Sequence, residues 1–223
     1  PYLSKMTSKE LLILMTAGMS TVSGSIMIAL VTMLQIQFGD INLIQHLITA
    51  SVLSIPAAIM YANIMIPSNE ITDFSEGEVP RIYESSMDAI TRGTRDGVDI
   101  AVNVGAILVV FIALVYLVDS VLGLLPSIAG REVSLQMILG FIFYPIVWLM
   151  GVPLDEVMTS AELLGIKTAL NEFVAYAQLS GLEEGVLSDR SKLITLYDLC
   201  GFANFSSVGI LVSGIGAMAP ERK

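Results

Sequence analysis

The sequence predicts an all-α integral membrane protein in which transmembrane helices are joined by a re-entrant helical hairpin and broken helices. Three observations predict it. Apolar residues make up 54% of the 223 residues and only 14% are charged, against about a quarter charged in soluble domains, and mean hydropathy is +0.77. Residues Ile100 to Val118 form 19 consecutive positions with one polar side chain, Asn103, and no charge, the length a helix needs to cross a bilayer. The last third of the chain alternates apolar runs with polar and glycine-rich interruptions, which membrane proteins tolerate only where the backbone is buried in protein or lines a cavity.

In chain order, Thr7-Ser8-Lys9-Glu10 predicts a helix start, with Thr7 as cap and Glu10 reaching back three residues later. The helix is expected to run to about Leu34. Its middle, Ser20 to Ser25, is crowded with small and hydroxyl side chains that suit close helix packing or contact with an ion or substrate. A turn near Phe38-Gly39-Asp40 leads to a second span, Ile41 to about Ile66, with Pro56 as an expected kink. The acidic stretch from Glu70 to Arg81 is expected as a solvated loop. Residues 82–97 are expected as an interfacial helix leading into a third span over about 98–124. Ser134 to Met150 is apolar but short and reads as interfacial or re-entrant. Leu154 to Leu179 carries Asp155, Glu156, Glu162, Lys167, Asn171 and Glu172, too polar to face lipid. The final apolar segment, Ser191 to Met218, is interrupted at Gly201-Phe202-Ala203-Asn204-Phe205-Ser206-Ser207, a composition suited to a broken transport helix.

Composition excludes several functions. A net charge of −10 argues against nucleic acid and against an anionic membrane surface as partner. One cysteine, Cys200, leaves no intrachain disulfide, and one histidine, His46, leaves no multi-histidine metal site. Cys200 reads as a small buried hydrophobe and His46 as a packed or interfacial side chain. There is no phosphate-cradling loop, nucleophile elbow or metal-ligand cluster, so the chain does not read as an enzyme and no cofactor is expected.

The residue that points to function is Glu172. A carboxylate within Ala169-Leu170-Asn171-Glu172-Phe173-Val174-Ala175-Tyr176 costs several kcal/mol, on the order of the unpaired buried-charge penalty, unless something bonds it. Either Lys167 is its structural partner, at a spacing that does not put the two on one helical face, or Glu172 lies in a cavity where it binds substrate or a proton. Asn204 and Ser207, three residues apart, add donors and acceptors suited to a polyhydroxylated ligand, and Phe202 and Phe205 offer faces to a planar ring.

The Gly201–Gly209 stretch (Gly-Phe-Ala-Asn-Phe-Ser-Ser-Val-Gly) and Asn171–Tyr176 (Asn-Glu-Phe-Val-Ala-Tyr) resemble the two hallmark motifs of concentrative nucleoside transporters. Leu139 to Ile146, Met150 to Pro153 and Pro1 to Thr7 are similar to the family as well, so the resemblance covers the whole chain. It implies a secondary active symporter that takes up nucleosides with Na⁺ or H⁺ by an elevator-like movement, as a homotrimer in the lipid bilayer, with a nucleoside-binding receptor lacking net transport as the alternative. Short loops favour a multi-pass bacterial inner-membrane protein. The implied organisation is a broken transport-domain helix over 1–37, scaffold-type spans with the acidic loop and interfacial helix over 38–130, an interfacial segment and second hairpin over 131–180, and a second broken helix over 190–218. Glu172, Asn204 and Ser207 are then expected at the ribose hydroxyls, Phe202 and Leu30 near the base, and Ser25 with the Ile26 backbone at a Na⁺ site. Both chain ends read as cut, with the family's first hairpin and its Gly-Gln-(Thr/Ser)-Glu motif expected to precede this chain, so that these residues alone are not expected to transport.

Overall fold

A computed structural model of the chain describes residues 3, 5–39, 41–68, 70, 84–127, 130 and 132–218. Among the described residues the structure is helical throughout, with α1 Ser8–Met19, α2 Gly24–Phe38, α3 Leu43–Met65, α4 Ser86–Leu122, α5 Leu135–Leu149, α6 Val157–Ala169, α7 Glu172–Ser180, α8 Asp189–Leu199 and α9 Phe205–Met218. The acidic stretch expected as a loop lies outside the described residues for all but Glu70 of its length up to Arg81.

The capping box at the start of α1 forms as the sequence predicts: Glu10 N–H donates to Thr7 Oγ1 at 3.2 Å and Thr7 N–H to Glu10 Oε2 at 2.9 Å. The helix does not continue to Leu34. It stops at Met19 and restarts at Gly24: the residues after Ser20 leave helical geometry, and Ser54 and Ser51 on α3 take up polar groups exposed there. The second span is one helix, α3, that runs through Pro56, and it is the one helix among the described residues long and apolar enough to cross a membrane by itself. The interfacial helix expected over 82–97 is not separate. It is the first third of the 37-residue α4, whose length of about 55 Å at 1.5 Å per residue exceeds a bilayer's hydrocarbon core. Ser85 caps it by accepting from Asp88 N–H at 3.1 Å. The Glu84 N–H and the Arg92 guanidinium hold the Asp88 carboxyl below its ordinary range.

The core gathers α2, α3, α6, α7 and α8. Leu30 and Leu34 on α2 and Leu43 and Leu47 on α3 recur at the four-residue spacing of one helical face and are fully buried with Tyr176, Leu196 and Leu199. Tyr176, the largest of these side chains, donates its hydroxyl to Leu196 O at 2.8 Å, joining α7 to α8. His46 on α3 lies 3.0 Å through Nδ1 from the Tyr197 hydroxyl and meets its ring edge-on, a packed histidine as read from the sequence. Helix α3 therefore packs with α1, α2 and α8, whereas α4 packs along α9 and α5. Asp119 near the end of α4 accepts from Leu135 N–H at 2.7 Å, fixing where α5 begins.

Helices α5 and α6 approach most closely. A Cβ on Gly165 would stand 3.0 Å from Gln136 O and from Leu139 Cβ, and one on Gly140 would stand 2.9 Å from Glu162 Cγ. Apolar lipid gives little drive for burying leucine, so close backbone approach through small residues supplies the attraction. We predict that Gly165→Ala in the full-length protein lowers thermal stability by about 1–3 kcal/mol through overpacking, whereas Gly93→Ala, where a Cβ meets nothing within 4 Å, does not. Melting curves in detergent decide this, and equal curves for both variants would mean that the α5–α6 contact is looser than described.

Candidate functional site

Two helix breaks cross at one place. The second break, Cys200 to Asn204, separates α8 from α9, and Gly201 within it has φ +124°, a conformation that side-chain-bearing residues rarely adopt. A Cβ at Gly201 would also come within 3.3 Å of Ser20 O and 3.7 Å of Met19 O, which are at the end of α1. Glycine is thus demanded twice, by the backbone angle and by the neighbouring chain. Helix α3 satisfies the polar groups of the first break: Ser54 Oγ lies 2.7 Å from Ser20 O, and Val22 N–H reaches Ser51 Oγ at 3.5 Å.

The helical hairpin α6–α7 delivers Glu172 to this crossing. Its tip is Leu170-Asn171, where the chain leaves helical geometry and Asn171 caps α7 by accepting from Val174 N–H at 2.9 Å. Glu172 is the first residue of α7, at the positive end of the helix, and is only 3% exposed. Its Oε2 accepts from Asn204 Nδ2 at 3.1 Å. Lys167, also buried, donates instead to Asp198 O near the end of α8 at 2.8 Å. The polar pairing of Glu172 thus runs across to α9 and leaves Lys167 to close the end of α8.

Asn204 is itself a helix cap. Its Oδ1 accepts from Ser207 N–H at 2.8 Å and from Ser206 Oγ at 2.6 Å, the arrangement that asparagine favours at the start of a helix. Ser207 is buried, and among the described residues its Oγ has no hydrogen-bond partner. Beside these groups lies a cavity of ≈ 270 Å³ lined by Gly18, Thr21, Val22, Ser23, Ile26, Glu172 and Phe202. The structure thus brings Glu172, Phe202 and Ile26 to one cavity, with Asn204 and Ser207 buried behind Glu172. Leu30 is not among the lining residues and is fully buried in the core one turn beyond Ile26. Phe205 is 54% exposed and points elsewhere. Ser25 falls on the first turn of α2, and its side chain lies outside the described residues. Gly18, Ser51, Ser54 and Ser206 were not singled out from the sequence for this site. For Ser51 and Ser54 the signal was available as hydroxyls three residues apart on an apolar helix, which in lipid must bond to something.

A small, mainly apolar cavity at the crossing of two interrupted helices, with a buried acid at its wall held from behind by an amide, is the arrangement of a membrane transporter. The family profile described as the C-terminus of Na⁺-dependent nucleoside transporters matches residues 46–223, and the chain belongs to this family. The chain is 37% identical over its full length to an uncharacterized transporter, YutK, of Bacillus subtilis, covering 54% of that protein. It is 34% identical to the nucleoside permease NupC of Helicobacter pylori, covering 53% of it, and 35% identical to sodium/nucleoside cotransporter 1 of Sus scrofa, covering 36% of it. Among solved structures it resembles CNTnw in an inward-facing substrate-bound state, with 35% identity, TM-score 0.75 and all of this chain aligned to 52% of that one. It resembles CNTnw N149L in the intermediate 3 state with 34% identity and TM-score 0.83, all of this chain aligned to 53% of that one. The chain therefore spans about half the length of its bacterial relatives.

The crossing itself makes a prediction. Gly201→Ala in the full-length protein is expected to destabilise it by about 1–3 kcal/mol, the usual cost of a strained backbone angle, and to weaken ligand binding because Phe202 follows directly. Detergent melting curves and equilibrium binding of uridine measure both, and a variant unchanged in each would mean that the two breaks do not depend on one another.

Proposed function

We propose that this chain forms the C-terminal half of a secondary active transporter that takes up nucleosides together with Na⁺ or H⁺. The observation that carries the reading is the buried Glu172, held by Asn204, at the wall of a cavity bounded by both helix breaks. A carboxylate that is held in place and still has acceptor capacity is suited to a ligand's hydroxyl groups, because hydrogen bonds to a charged acceptor are about twice as strong as neutral ones. The Phe202 ring supplies an apolar face for a base. Ser25 and the Ile26 backbone, on the first turn of α2 beside the unwound Ser20–Ser23, contribute to a sodium site that the N-terminal half completes. The nucleoside substrates and sodium dependence in the names of the relatives support the substrate class and favour Na⁺ as the coupling ion.

The movement proposed is elevator-like, within a homotrimer in a bacterial inner membrane. The hairpin and both broken helices carry the substrate, and α4 serves as a scaffold-type span, consistent with its packing against α9 and α5 alone among the closer neighbours. Uptake of radiolabelled uridine by the full-length protein in proteoliposomes tests this reading, with a Na⁺ gradient, a proton gradient or neither imposed. Accumulation is expected with one gradient only, and its identity names the coupling ion. Binding without accumulation under any gradient would instead establish a receptor. Glu172→Gln keeps the side-chain volume and loses the charge, and is expected to weaken uridine binding by at least about tenfold. Unchanged affinity in that variant would remove Glu172 from the site.

A further inference from the structure

The proposed nucleoside site depends on which way the Asn204 amide faces, and the structure shows what sets it. A backbone N–H can only donate, so the Asn204 atom 2.8 Å from Ser207 N is the carbonyl oxygen Oδ1. The amide nitrogen therefore lies on the side of Glu172, 3.1 Å from Oε2. Ser206 Oγ is 2.6 Å from the same Oδ1, and because Oδ1 has no proton, the hydroxyl must donate. Ser206 is fully buried and does not line the cavity. Its oxygen also sits 3.5 Å from Leu170 O at the tip of the hairpin. The hydroxyl's one proton is committed to Asn204 Oδ1, so the start of α9 is bonded to the hairpin through Asn204 and Glu172.

We propose that Ser206 is a positioning residue: its hydroxyl locks the Asn204 amide toward Glu172. The proposal rests on the nucleoside-binding reading of Glu172 and Asn204. With the hydroxyl removed, Oδ1 keeps one donor, the Ser207 N–H, and the amide gains freedom to rotate. Glu172 then has a less firmly held partner, and substrate binding must fix the pair again. The loss falls on affinity and passes entirely through Asn204.

A double-mutant cycle in the full-length protein tests this, with uridine as the probe and its dissociation constant and uptake KM as readouts. Ser206→Ala is expected to weaken uridine binding by about threefold to tenfold, the range for one buried hydrogen bond, with maximal uptake rate within about twofold of the parent protein. Ser206→Thr, which keeps the hydroxyl, is expected to restore affinity. Asn204→Ser keeps a capping oxygen for Ser207 N–H but removes the amide, and in that background Ser206→Ala is expected to add no further loss. An equal loss in both backgrounds would overturn the proposal by showing that Ser206 acts through general packing, and so would parental affinity in Ser206→Ala. Should Ser206→Ala fail to assemble, Ser206→Cys, with similar volume and a weak donor, takes its place in the same cycle. Parental uridine affinity in both Glu172→Gln and Asn204→Ser would instead show that the nucleoside-site reading has failed, an outcome distinct from additivity within a cycle whose Asn204 arm is impaired.

Discussion

The structure depends on one constraint: unwound backbone in a membrane has no water to bond, so each helix break must be paired within the protein. The two breaks meet this by lying against each other. Gly201 gives up a side chain so that its backbone can pass Ser20 O, Ser54 and Ser51 bond the first break from α3, and Asn204 and Ser206 bond the second from within. Helix α3 is consequently more than a lipid-facing span. Its polar face is part of the site's support, and its packing with α1, α2 and α8 follows from that.

Burying Glu172 is the next demand. Its position at the first residue of α7 places it in the favourable end of a helix dipole, and Asn204 supplies a donor without supplying charge. A lysine partner would have neutralised the carboxylate and filled its acceptor sites. Lys167 is near enough to influence the region but directs its ammonium to the Asp198 carbonyl. The arrangement keeps the acid buried and held, with acceptor capacity facing a cavity. That distinguishes a binding group from half of a structural ion pair.

Much of this was legible in the sequence, for reasons that differ by element. The break at Cys200 to Asn204 was visible because glycine, asparagine and two serines interrupt an apolar run, and each has a backbone role there. Glu172 was visible because a carboxylate among apolar residues is costly. The residues of the first break read by themselves as a place for close packing or ion or substrate contact, and a break there came only from the family resemblance, since hydroxyls in a membrane helix can bond their own carbonyls without breaking it; the partner groups on α3 tip the balance. The continuity of α4 was hidden because Ser86 to Gly97 carries charges and glycines that suit an exposed helix as well as an interfacial one; whether it lies down or stands up is decided by its neighbours. Leu30 was placed near the base by family resemblance, and the structure has it in the core, a turn beyond the cavity wall.

The same constraint that closes the breaks also ties ligand and ion together on the proposed function. Ser23 and Ile26, at the restart of α2, face the cavity that Glu172 and Phe202 close from the other side, and the expected sodium ligands Ser25 and Ile26 lie on that same first turn. A cation that orders this turn lowers the cost of ordering the cavity wall, and a nucleoside that draws Glu172 and Phe202 together lowers the cost of holding the turn. Each ligand then raises the other's affinity by one and the same factor, as linkage requires. On that reading, coupling needs no long path through the protein, because the two proposed sites share a wall that neither break can form alone.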